Sequence, residues 1–160
     1  MSLPPLAAAD LAPFATLVRA EGGKFTTIPE VLEPGDVPGQ HAFAVLCPQP
    51  VDPQAISITF LERHPHSTQT FVPLTVGRWI VLFAPTLSDG TPDLANIRAF
   101  LAGPEDAVCI HRNVWHAGLT VLDRPAEVGM MMWRSAAGPA ADGIVFELPA
   151  PIVLSVRGTS

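Results

Sequence analysis

The segment Ala55-Ile56-Ser57-Ile58-Thr59-Phe60-Leu61 alternates apolar and polar side chains over most of its length. A period of two places Ile56, Ile58 and Phe60 on one face, as in a strand with one buried face. Trp79–Ala84 is a continuous apolar run, as expected for a strand buried on both faces. Other short segments predict further strands at Ala42–Leu46, Thr70–Leu74, Ala107–Ile110, Ala117–Leu122, Glu127–Trp133, Ile144–Leu148 and Ile152–Val156.

Two stretches have helical spacing instead. Residues 7–19 place Leu11, Phe14 and Val18 near one face, and residues 93–102 lie between Pro92-Asp93 and Gly103-Pro104. Eight or nine short strands with one or two short helices predict a mainly β fold, either closed or built from two sheets. The count favours a jelly-roll barrel, which leaves a pocket inside.

The composition limits the classes of function. The chain has 160 residues, 48% of them hydrophobic, and we interpret residues 1–160 as a single domain. The formal net charge of -6 argues against binding to nucleic acid or to an anionic membrane surface. The chain starts without a basic, apolar signal segment and contains no apolar run long enough to span a bilayer, so a cytoplasmic location is predicted.

The densest polar cluster follows the strand at 55–61. Glu62 and His64 are two residues apart and therefore share a face, Pro65 forces a turn, and Gln69 begins the returning strand. A second cluster, residues 110–116, ends with His116. If both clusters meet inside the barrel, they offer carboxylate, amide and imidazole ligands for a divalent ion such as Mn, Fe, Ni or Zn.

Alternative interpretations stay open at this point. Each histidine could instead be an ordinary surface or core residue, and His66 ranks below His64 as a ligand because Pro65 interrupts the strand. Arg63 and Arg112 are either carboxylate-binding residues or surface residues. The tryptophans and Met130–Met132 are interpreted as apolar core. Cys47 and Cys109 are interpreted as buried thiols.

Two blocks of the sequence resemble the ureidoglycolate lyases. The first is Leu61-Glu62-Arg63-His64-Pro65 with Gln69 and Phe71-Val72-Pro73-Leu74. The second is Pro92-Asp93-Leu94, Arg98-Ala99-Phe100 and His111-Arg112-Asn113-Val114-Trp115-His116. Both occur in the family's order and at similar separation, and the resemblance is strongest over residues 55–120.

The resemblance implies a cupin-type jelly-roll β-barrel, a homodimer, and cleavage of ureidoglycolate to glyoxylate and urea in allantoin degradation, a branch of purine metabolism. It implies catalytic roles for Glu62, His64 and His116, a metal site formed by these three with Gln69, and nickel or another divalent ion as cofactor. Substrate contacts are predicted for Arg63, Gln69, Arg112 and Asn113.

Some positions depart from the family pattern. Cys47 stands where the lyases usually have a basic residue, and Trp133-Arg134-Ser135 replaces an Asp-Arg-Gly sequence. Two alternatives therefore remain: a cupin enzyme acting on another small hydroxy- or keto-acid, and a non-catalytic module that binds small carboxylates. Whether Glu62 is a ligand or a base also stays open.

Overall fold

The computed structural model describes residues 3–20, 22 and 25–156, which form mainly β-strands. The strands are β1 (Ala15–Val18), β2 (Gly39–Leu46), β3 (Ile56–Arg63), β4 (Gln69–Pro73), β5 (Trp79–Ala84), β6 (Arg98–Ala102), β7 (Ala107–Ile110), β8 (Trp115–His116), β9 (Thr120–Val121), β10 (Val128–Ser135) and β11 (Ile144–Leu154). One helix, α1, spans Ala8–Leu11, and 3-10 turns occupy Pro29–Leu32, Leu94–Asn96 and Pro139–Ala141.

The strands form two antiparallel sheets. The first has the order β1-β7-β4-β10-β2, and the second has the order β11-β3-β8-β5-β6 with β9 also paired to β5. The mainly β, cupin-type class is confirmed. Among the described strands, however, the sheets do not close into a barrel and instead form a cupin-like β-sandwich.

Strand β5 lies at the centre of the packing because both of its faces are buried. Trp79, Val81 and Phe83 contribute to a cluster between the two sheets, where Phe83 stacks on Phe14 with ring centroids 5.3 Å apart. The alternate side chains of β5 contribute to a second apolar cluster on the other face of its sheet. The continuous apolar run that predicted a doubly buried strand is therefore confirmed.

Both predicted helices are wrong over most of their length. In residues 7–19 only α1 is helical; Pro13 follows it, and β1 pairs with β7. In residues 93–102 a single 3-10 turn is followed by β6, which pairs with β5 along its whole length. In both segments long-range strand pairing overrides the local helical spacing.

Several strand boundaries also differ from the predictions. Of the strand predicted at 117–122 only β9 forms, with β8 preceding that range, and the last two predicted strands are one strand, β11, with a bulge between Glu147 and Ile152. Cys47 is exposed rather than buried, whereas Cys109 is a buried free thiol. The domain bounds 1–160 stay a prediction, because residues 1, 2, 21, 23, 24 and 157–160 lie outside the described residues.

Candidate active site

The pairing of β3 with β8 brings two predicted site residues together. Glu62 lies directly opposite His116 on the neighbouring strand. The distance between Glu62 Oε1 and His116 Nε2 is 3.7 Å, and the side chains are 26% and 2% exposed, respectively. The imidazole is thus buried behind the carboxylate, which still reaches solvent.

His64 lies just beyond the end of β3, in the turn that Pro65 introduces. Its ring is tilted 45° against that of His116, with the centroids 5.4 Å apart. Its backbone carbonyl accepts a hydrogen bond of 2.8 Å from the N–H of Asn113, which has a left-handed φ of 62°. The loop that contains Asn113 therefore holds the backbone of His64 in place.

Gln69 begins β4 and reaches the same place from the opposite sheet. It is buried, and its Oε1 lies 3.0 Å from His116 Nε2. Its amide nitrogen lies 3.6 Å from the sulfur of Met130. The predicted convergence of the two polar clusters is present for all four residues Glu62, His64, Gln69 and His116.

The hydrogen bonds of the two imidazoles determine their tautomers. The Nδ1 atom of His64 lies 3.1 Å from the carbonyl oxygen of Asp142, and Nδ1 of His116 lies 2.9 Å from that of Val114. A carbonyl oxygen only accepts, so each Nδ1 carries the hydrogen and donates it. Each Nε2 therefore has a free lone pair, which in His116 faces Gln69 and Glu62, an arrangement common in metal-binding histidines.

The donor atoms fit a divalent cation. Ligand atoms of Glu62, His64 and His116 all lie within 4.8 Å of one another. The buried Nε2 of His64 has no hydrogen-bond partner among the described residues. His116 Nε2 and Gln69 Oε1 face each other as two acceptors, and a cation would satisfy both. This O/N donor set without thiolate suits Mn, Fe, Ni or Zn.

The environment of His116 keeps its ring neutral. The pKa of this imidazole is lowered from 6.5 to about 4, mainly by burial; the hydrogen bond to Val114 opposes the shift, and the nearby His64 contributes to it. A neutral ring at neutral pH can use its lone pair as a ligand without first losing a proton.

A cavity of about 260 Å³ opens in front of the cluster. It is lined by Glu62, His64, Gln69, Met132, Trp133, Arg134, Ser135, Gly138, Pro139, Asp142 and Gly143. Arg134 supplies the cationic side chain of this lining. A larger cavity of about 460 Å³, near Phe14 and Arg98, contains none of the four converging residues, so we do not assign the chemistry to it.

The remaining predicted site residues lie outside the lining of the smaller cavity. The guanidinium carbon of Arg63 lies 4.6 Å from the centroid of the Trp115 ring. Arg112 donates to the carbonyl of Pro34 and lies 3.5 Å from Glu33. Asn113 is exposed. These residues contact the loops around the site, and their predicted substrate contacts stay predictions.

Two charged residues of the lining, Arg134 and Asp142, were not predicted as site residues by the sequence analysis. Arg134 shares the parity of the buried Met130 and Met132 in β10, so extending that alternation by one step would have found it. Asp142 is only 5% exposed, but it follows a 3-10 turn and has no periodic neighbours. Only the folded chain brings Asp142 next to His64.

Comparison with known proteins finds one family that matches most of the chain. The sequence model of the family described as "Ureidoglycolate lyase" matches residues 1–152. A relative from Agrobacterium fabrum is 30% identical over 156 residues, covering 95% of this chain and 93% of its own. A ureidoglycolate lyase from Azotobacter vinelandii is 31% identical over 155 residues, covering 89% of each.

A shorter match and one solved structure complete the comparison. A ureidoglycolate lyase from Escherichia coli K12 is 44% identical over 69 residues, which are 43% of this chain and 42% of that protein. The structure of a TDP-quinovose 3,4-ketoisomerase from Campylobacter jejuni is similar with a TM-score of 0.40 and 19% identity, over 63% of this chain and 68% of that one.

Proposed function

The chain belongs to the ureidoglycolate lyase family, and on this premise we propose that it cleaves ureidoglycolate to glyoxylate and urea in the 260 Å³ cavity. One observation carries the proposal. Glu62, His64 and His116, predicted from two separate sequence blocks, present ligand atoms within 4.8 Å of one another.

The reaction needs one proton to be moved twice. In ureidoglycolate a hydroxyl, a carboxylate and a ureido nitrogen share one carbon. Glu62 accepts the hydroxyl proton; the carbonyl of glyoxylate forms, the C–N bond breaks, and its electron pair stays on the ureido nitrogen. Glu62 then returns the proton to that nitrogen and urea leaves. Proton transfer by a positioned group is typically worth about 10²–10⁴-fold in rate.

His64, Gln69 and His116 are the proposed metal ligands, and Glu62 is the base or a fourth ligand. A bound divalent ion would hold the substrate carboxylate and hydroxyl together and lower the hydroxyl pKa. Nickel is the ion that the family resemblance implies, and Mn, Fe and Zn are the alternatives for the same donor set.

We assign the substrate carboxylate to Arg134. Its side chain lines the cavity, whereas Arg63 lies over Trp115. Because a charged hydrogen bond is worth about 1.5–3 kcal/mol, Arg134→Gln should raise KM by about 10–100-fold and change kcat less. Arg63→Gln is the matched variant, and steady-state assays of both test which arginine binds substrate. An unchanged KM for Arg134→Gln would exclude the assignment.

Urea release by the purified protein tests the function directly. We expect release above the uncatalysed rate with added Ni²⁺, and a loss of activity after chelation and in His64→Ala. The absence of urea release with each of the four ions would reject the proposal.

A second candidate function is the cleavage or conversion of another small hydroxy- or keto-acid. The observation in its favour is that Cys47, Trp133 and Ser135 depart from the family pattern, and that Trp133 and Ser135 line the cavity. A panel of small carboxylate substrates distinguishes the candidates, because this second function predicts a higher kcat/KM for one of them than for ureidoglycolate.

The wider setting is proposed from the family resemblance: a cytoplasmic enzyme of allantoin and purine degradation that works as a homodimer. No helix in the described part of the chain is long and apolar enough to cross a membrane. For the dimer we propose strand β2 as the contact. It has one neighbour in its sheet, and Phe43 and Val45 on it are 62% and 50% exposed.

A further inference from the structure

We propose that Asp142 is a positioning residue that holds His64 in the tautomer and orientation needed for its lone pair to face the cavity. This inference rests on the proposed function, in which His64 is a ligand. Asp142 is 5% exposed, and three of its oxygen atoms accept hydrogen bonds from residues 64–67.

The backbone carbonyl of Asp142 acts on the imidazole itself. It accepts the Nδ1–H of His64 at 3.1 Å. This contact places the hydrogen on Nδ1 and leaves the buried Nε2, which has no partner among the described residues, with a free lone pair. Without the contact, the ring could carry its hydrogen on either nitrogen and rotate about its side-chain bonds.

The carboxylate of Asp142 acts on the turn that carries the imidazole. Oδ1 accepts the backbone N–H of His66 at 2.7 Å, and Oδ2 accepts the hydroxyl of Ser67, which is 1% exposed. A buried carboxylate loses hydration, which these donors must replace. The same residue therefore fixes the turn through its side chain and the ring through its carbonyl.

The alternative is that Asp142 only closes a surface turn. The 3-10 turn at residues 139–141 would then be joined to the loop after β3 without any effect on the ring. A purely stabilising role changes the free energy of unfolding. It does not change the tautomer of His64 or the affinity for a metal in molecules that remain folded.

Three variants separate the two roles. Asp142→Ala removes both carboxylate contacts, and Asp142→Asn keeps an oxygen that can accept the His66 N–H. Asp36→Asn is the matched control: Asp36 Oδ1 lies 2.7 Å from the side-chain Nδ1 of the same His66, so this variant removes a carboxylate from His66 without a contact to His64.

Two measurements read out the role. Two-bond ¹H–¹⁵N NMR of the metal-free protein should show His64 with its hydrogen on Nδ1 in the parent, and a mixture of tautomers in Asp142→Ala. Calorimetric titration with Ni²⁺ should show an affinity about 10–100-fold lower in Asp142→Ala. The Ni²⁺ affinity of Asp142→Asn should lie within about threefold of the parent value, and that of Asp36→Asn should equal it.

The proposal is overturned if folded Asp142→Ala keeps the His64 tautomer and binds Ni²⁺ like the parent. It is also overturned if Asp36→Asn weakens Ni²⁺ as much as Asp142→Ala does. If Asp142→Ala does not fold, Ser67→Ala replaces it; a parent-like tautomer and affinity there reject the proposal. A parent that releases no urea contradicts the proposed function instead, and the metal-free NMR measurement still decides the role of Asp142.

Discussion

At the scale of single residues, the site combines an accessible carboxylate with a buried neutral imidazole. Glu62 is 26% exposed and His116 only 2%, although their side chains lie 3.7 Å apart. A carboxylate that reaches the cavity can exchange protons with substrate, whereas an imidazole behind it is placed to bind rather than to exchange.

Glu62→Gln separates the roles of base and ligand. The amide keeps an oxygen that can bind a metal but cannot accept a proton at neutral pH. We expect kcat to fall by about 10²–10⁴-fold while the affinity for Ni²⁺, measured by calorimetry, stays within about threefold. A loss of Ni²⁺ binding of the same size as in His64→Ala would identify Glu62 as a ligand.

The low pKa of His116 makes the metal-free protein sensitive to acid. Burial lowers this pKa to about 4 in the folded state, against an ordinary value of 6.5. As the pH falls from about 6.5 to about 4, the unfolded chain binds a proton that the folded chain does not, so stability decreases. From about pH 7 to about pH 5 the loss should be about 2 kcal/mol.

Urea unfolding of the chelated protein at the two pH values measures this loss. The His116→Gln variant provides the reference, since it lacks the titrating ring and should lose correspondingly less stability over the same range. An equal loss in both proteins would show that other groups cause the acid sensitivity.

At the scale of elements, a strap of residues 29–38 crosses the end of β10 next to the cavity. The indole N–H of Trp133 donates to the carbonyl of Val37 at 2.9 Å, and Thr68 donates to that of Glu30 at 2.9 Å. Gly35 faces the Trp133 ring so closely that a Cβ there would lie 2.1 Å from the indole Cδ1. The strap thus depends on a residue without a side chain.

Gly35→Ala should therefore destabilise the fold. Overpacking typically costs about 1–3 kcal/mol, and displacement of Trp133 would also disturb the cavity wall. Gly118→Ala is the control, because its added Cβ would lie at an ordinary 3.7 Å from Phe60. Denaturant unfolding of the two variants should differ by at least about 1 kcal/mol, and equal stabilities would contradict the close packing.

The elements also mark the limits of sequence analysis. The alternating strand β3 and the continuous apolar strand β5 were predicted within two residues of their bounds. Helical spacing in residues 93–102 gave the wrong structure, because Ala99 and Phe100 are both buried, on opposite faces of β6. A strand with two buried faces lacks the alternation that distinguishes it from a helix.

Site residues could be predicted where the residue type suits a metal site and the alternation of the strand places the side chains on the same face. Glu62 and His64 share a face by spacing, Gln69 and His116 belong to polar clusters next to predicted strands, and all four lie together. Arg63 and Arg112 could not be placed by spacing, because their neighbours Trp115 and Glu33 come from distant segments. Asp142 acts partly through its backbone carbonyl, which no residue type reveals.

At the scale of the whole molecule, the open edge of the first sheet is the feature relevant to assembly. Strand β2 is eight residues long, and among the described strands it pairs only with β10. Phe43 packs over Gly129, where a Cβ would lie 2.9 Å from its ring, and still leaves most of its surface exposed. An apolar edge of this kind favours contact with another strand.

Phe43→Asp should dissociate the proposed homodimer. A charge at the contact would lose hydration on association, so we expect monomers by sedimentation velocity at concentrations where the parent is dimeric. Val153→Asp is the control, since Val153 is 70% exposed on β11 of the other sheet. Dimerisation of the Phe43→Asp variant with parent-like affinity would place the contact elsewhere.

The close alternation in β3 and β8 has a consequence for how this fold can change over evolutionary time. Leu61 and Trp115 point into the apolar cluster, while their chain neighbours Glu62 and His116 point to the opposite face, where Glu62 lines the cavity. A single inserted or deleted codon in either strand would exchange these directions, burying a charge and exposing an aromatic ring at once. Length variation among descendants should therefore occur mainly in loops such as residues 85–93. Lineages that lose catalysis through a one-residue insertion or deletion in β3 or β8 should lose solubility at the same time.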